Sequence, residues 1–87
     1  MPYINKDQRL YYDTPLEELI FNLNQEGWNA GHVTYVLYKI VLHWFKDSPS
    51  YATIANIRGC LVGTMTEFDR REAAHYENNK IDQNGDV

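Results

Sequence analysis

The stretch "EFDRREAAHYENNK" holds the residues best suited to grip an anion: Arg70, Arg71, Tyr76 and Lys80. A guanidinium forks onto a phosphate or carboxylate, an ammonium adds a point charge, and a phenol ring offers a face on which a base stacks. At helical spacing Glu67 and Arg71 stand one turn apart, as do Tyr76 and Lys80. The closing residues add Asn84 and Asp86, whose amide and carboxylate suit ribose or base hydrogen bonds. Asn84-Gly85 reads as a tight turn that folds this tail back. Near the N-terminus Tyr3, Arg9 and Tyr11 interleave rings with a guanidinium and form a second candidate set. Each set also has a plainer reading. The helical charges make solvated i,i+4 pairs worth about 0.3 kcal/mol each, and a Tyr-rich arm docks on a neighbour.

Other chemistries find less footing. His32, His43 and His75 lack a zinc-ligand spacing. Asp82, Asn84 and Asp86 alternate like the opening of a calcium loop, but Val87 stands where its turn glycine belongs and no bidentate Glu follows. His43 reads as a packed histidine, Cys60 as a small core residue, and Gly59 and Gly63 as close-packing positions. No Gly-rich phosphate loop and no poised nucleophile appear. The chain is therefore expected to bind rather than catalyse, with no metal and no cofactor.

Elements must position these residues. Residues 1–12 lack helical periodicity and read as an extended arm. The first helix is expected at "DTPLEELIFNLNQEG", with Thr14 as cap, Pro15 at the first helical position and Glu17 completing a capping box. Leu16, Leu19, Ile20 and Leu23 give its apolar face, and Gly27 ends it. A second helix follows from the cap Asn29. Val33, Val36, Leu37, Ile40, Val41 and Trp44 line one side, while Tyr35, Tyr38, Leu42 and Phe45 make the other side apolar too. After "DSPS", Ser50 caps a third helix from about Tyr51 to about Lys80, leaving residues 81–87 as a tail. Thirty helical residues reach about 45 Å, too long for the shorter first two helices to cover. The expected fold is all-α: one helical domain over residues 1–87, a three-helix antiparallel bundle with a long C-terminal helix, assembled as a homo-oligomer.

Composition agrees with that outline. An 87-residue chain holds one small core, and one cysteine permits no internal disulfide. Seven Tyr, three Phe and two Trp exceed what so small an interior takes in, which again points to self-association. A net charge of −4 with scattered Lys and Arg argues against bulk nucleic acid, though not against a small anionic ligand. The longest apolar run, "VTYVLYKIVLHWF", is interrupted by Lys39 and His43 and is too short for a membrane span. The N-terminus has no apolar signal core, so a cytoplasmic location is expected.

"MPYI…R", "GWNAGHVTYVLYKI" and "SYATIANIRGCLVGTMTEFDRR…YENNKIDQNGDV" together resemble a family of small phage and prophage proteins. The closing EF-x-RR-x(4)-YE-x(2)-KI-x(2)-NGDV pattern is the specific part. The resemblance implies an all-helical protein of the infected cell's cytoplasm. By analogy of role it implies an anti-defence sponge, which sequesters a nucleotide immune signal such as a cyclic oligonucleotide or ADP-ribose derivative at a subunit junction. The alternative is a small helical protein that grips a host or phage protein through its second helix and arm.

Overall fold

The computed structural model describes residues 3–86. Met1 and Pro2, which open the expected arm, and Val87, which ends the tail, lie outside the described residues. The described residues form helices joined by short turns, with no strand among them.

Helix α1 spans Lys6–Gln25 and corrects the expected extended arm, whose residues from Lys6 onward are helical. The reason is a capping box one segment earlier than expected. Asn5 Oδ1 accepts from the Gln8 backbone N–H at 2.9 Å, and Gln8 Oε1 accepts from the Asn5 N–H at 3.0 Å. Thr14 is thus no cap, and Pro15 lies inside the helix, where it has no N–H to give the Tyr11 carbonyl. The helix ends as expected at Gly27, in a Schellman turn. Gly27 N–H donates to the Asn24 carbonyl at 2.9 Å and Trp28 N–H to the Leu23 carbonyl at 3.1 Å.

Helix α2 spans Ala30–Asp47, and its expected cap is in place: Asn29 Oδ1 accepts from Gly31 N–H at 2.8 Å. Helix α3 spans Tyr51–Phe68 behind its expected cap, with Ser50 Oγ accepting from Thr53 N–H at 3.0 Å. The helix then continues without a break in αR backbone through a π turn, Asp69–Ala73, into α4, Ala74–Asn84. Gly85 closes it at φ +83°, donating to the Ile81 carbonyl at 2.7 Å. Residues 81–84 are therefore helical rather than tail. Asn84 takes no positive φ, which corrects the expected Asn84-Gly85 turn: the glycine alone makes the exit.

The chain divides after Leu42 into two compact units. In the first, α1 and most of α2 leave no described residue buried; Leu19, Leu23, Val33 and Val36 are half-buried. The second contains the end of α2, then α3, the π turn and α4. Its buried residues are Thr53 and Ile57, each 7% exposed. Cys60 and His43 are exposed, so neither is the packed residue expected. Nothing lies within 4 Å of a Cβ built on Gly59 or Gly63, so no neighbour uses the room these glycines leave.

Candidate functional site

The basic residues of the second unit are organised by one carboxylate. Glu67 Oε1 accepts from Arg70 Nη2 at 2.6 Å and also pairs with Arg71 Nε, while Glu67 Oε2 accepts from Arg70 Nε at 3.3 Å. Arg70 stands just short of one turn on and Arg71 just past it, so both guanidiniums reach the same anion. The hydrogen bond from Arg70, helped by Arg71, holds the Glu67 carboxyl down at about 2, against 4.5 ordinarily. Glu67 and the two arginines together carry one net positive charge, and Asp69 and Glu72 of the π turn bring the segment 67–72 to −1.

One turn beyond that π turn, Lys80 Nζ lies 5.5 Å over the Tyr76 ring, a cation–π step between residues at i and i+4. The sequence-predicted residues are thus brought together in two pairs, Arg70 with Arg71 and Tyr76 with Lys80. Asn84 ends α4 and Asp86 follows the Gly85 exit. Along one helix, Arg70 and Asn84 are separated by roughly 20 Å at 1.5 Å per residue. The ends of that row thus stand about four helical turns apart. Tyr3, Arg9 and Tyr11 belong to the first unit and are exposed there. The Tyr11 ring meets Tyr12 edge to face at 6.2 Å.

Sequence reasoning missed the groove of the first unit. At the Schellman turn, the last turns of α1 and the first turns of α2 border an open groove of about 590 Å³. Leu19, Leu23 and Val36 form its half-buried floor, with Asn22, Glu26, His32 and Tyr35 at the rim. The size suits an inserted side chain or a drug-sized apolar body. The available signal was the Gly27 stop, which places apolar residues of both helices beside one corner. None of the anion-binding candidates lines this groove.

Among the described residues, no group of three or more His, Cys, Asp or Glu is placed to hold a metal ion, and no helix is long and apolar enough to cross a membrane. No curated protein and no solved structure matches the chain. One family description matches from residue 1 to residue 87, and by that match the chain belongs to the family described as domain of unknown function DUF6899.

Proposed function

We propose that the chain is a self-assembling helical binding protein that captures a target without turning it over. The observation supporting this reading is the apolar surface left open. No described residue before Leu42 is buried, and α2 presents Tyr35, Leu37, Tyr38 and Ile40 to solvent. Fully covering one such side chain is worth about 1.5–3 kcal/mol, so a helix apolar on both sides gains most when both are covered. A second copy supplies that cover. The experiment is native mass against concentration for wild type and Ile40→Glu. Wild type is expected above one copy, with Ile40→Glu at least ten-fold weaker in self-association. A wild type of one copy at every concentration overturns the reading.

For the target, a nucleotide-derived signalling molecule at the subunit junction is favoured by a specific pairing: guanidiniums for phosphate beside a Tyr ring for a base. Arg70, Arg71, Tyr76 and Lys80 would supply the core of that site, with Asn84 or Asp86 added across the junction. Under this reading the phage resemblance makes the target an immune signal. Thermal shift against cyclic dinucleotides and ADP-ribose derivatives tests it, followed by recovery of the bound molecule after denaturation. Stabilisation and an intact molecule support sequestration; an altered product indicates catalysis. Stabilisation by none of them, with one protein co-purifying, selects the alternative of a host or phage protein gripped through α2.

A further inference from the structure

The apolar stripe of α3 runs through Ile54, Ile57, Leu61, Met65 and Phe68, in steps of three and four. An unbroken α-helix carries that stripe next to Glu72, His75 and Asn79, all polar. The π turn changes the outcome. Ala74 N–H donates to the Asp69 carbonyl, five residues back instead of four, and the extra residue delays the phase by about 100°. After Phe68 the stripe then meets Ala73, Tyr76 and Lys80. Ala73 is half-buried while Glu72 and His75 are exposed, in keeping with this phase. Glu67 draws Arg70 and Arg71 toward its own flank, and Lys80 folds onto Tyr76.

We propose that the π turn keeps one apolar face in phase from Ile57 to Tyr76, and that this face is half of a two-fold contact with the same face of a second copy. The proposal rests on the self-association reading and adds to the α2 surface a second contact, on α3 and α4. Leu61 is 45% exposed, Met65 and Phe68 59% each and Tyr76 63%. Their open area is roughly 500 Å² per copy, so two identical faces bury about 1,000 Å², the lower bound for a specific interface. The face extends about 28 Å along the helix, and a second copy offers a face of the same length. Its charged member is Lys80, at one end. Antiparallel pairing sets the two ammoniums at opposite ends, whereas parallel pairing brings like charges together.

His75 and Tyr76 report the phase, because an unbroken helix puts His75 on the face and the π turn puts Tyr76 there. Sedimentation equilibrium on the full chain, with helix content from circular dichroism, compares Phe68→Glu, Tyr76→Glu and His75→Glu. The first two are expected to weaken self-association at least ten-fold with helix content kept, and His75→Glu to leave it within two-fold. Should a glutamate cost helicity, Phe68→Ser and Tyr76→Ser are read in its place, with the same expected direction. A wild type of one copy overturns the self-association reading and this contact together. An assembled wild type indifferent to Phe68 and Tyr76 overturns this contact alone. Disruption by His75→Glu with Tyr76→Glu silent overturns the phase.

Discussion

Gly27 and Trp28 hold consecutive positive φ values, +69° and +59°, at the turn between α1 and α2. Glycine takes that region without strain; a side chain there costs about 1 kcal/mol. Gly27→Ala, with open space around the new Cβ, is expected to lower stability by about that amount in urea denaturation. Trp28 accepts the same conformation because its indole N–H donates to Asn24 Oδ1 at 3.1 Å and its backbone N–H completes the Schellman turn. The role of Gly27 was legible from its type and position. That of Trp28 was not, since nothing in the residue type announces a left-handed backbone.

Glu67 gives a second prediction at this scale. Its carboxyl is held down to about 2 when folded, from 4.5, so the pairing favours the folded state above pH 4.5 and is lost as pH falls toward 2. Loss of helicity between those limits, followed by circular dichroism, is expected to be smaller in Glu67→Gln. The same substitution leaves Arg70 and Arg71 without the Glu67 charge. Under the sequestration reading it tightens binding of an anionic nucleotide, whereas Arg71→Ala weakens it about ten-fold with the assembly intact.

At the scale of elements, start signals decided what could be read. Asn29 and Ser50 precede apolar periodic runs and cap α2 and α3 as their types suggest. Thr14, Pro15 and Glu17 imitate a helix start equally well, yet α1 was already under way from Asn5. The imitation succeeded because Pro is over-represented at the first helical position, whereas here it sits inside the helix at the cost of one backbone hydrogen bond. Pro15→Ala restores a donor for Tyr11 and is expected to stabilise α1 by about 1–3 kcal/mol, seen as a higher melting temperature. Ser50→Ala is expected to cost about 1 kcal/mol by the same measurement. The π turn is beyond reach of periodicity, which assumes one fixed step; in the sequence the apolar run Ile54, Ile57, Leu61, Met65, Phe68 simply meets the polar Glu72, His75 and Asn79.

For the whole molecule, helix content was legible and burial was not. Periodicity tells which side of a helix is apolar, and it is silent on what covers that side. Leu16, Ile20, Leu37 and Ile40 have the spacing of core residues and stand exposed. The expected anion site likewise divides into two local pairs, because sequence spacing fixes neighbours along a helix and nothing farther.

The division after Leu42 has an optical consequence. One indole, Trp28, falls in the unit that ends there, and the other, Trp44, in the unit that begins at His43. Phe substitution of either leaves a single indole, so each half of the protein can be watched alone by fluorescence excited at the red edge where the seven tyrosines do not absorb. A blue shift confined to one emitter as concentration rises would say which half loses its water first.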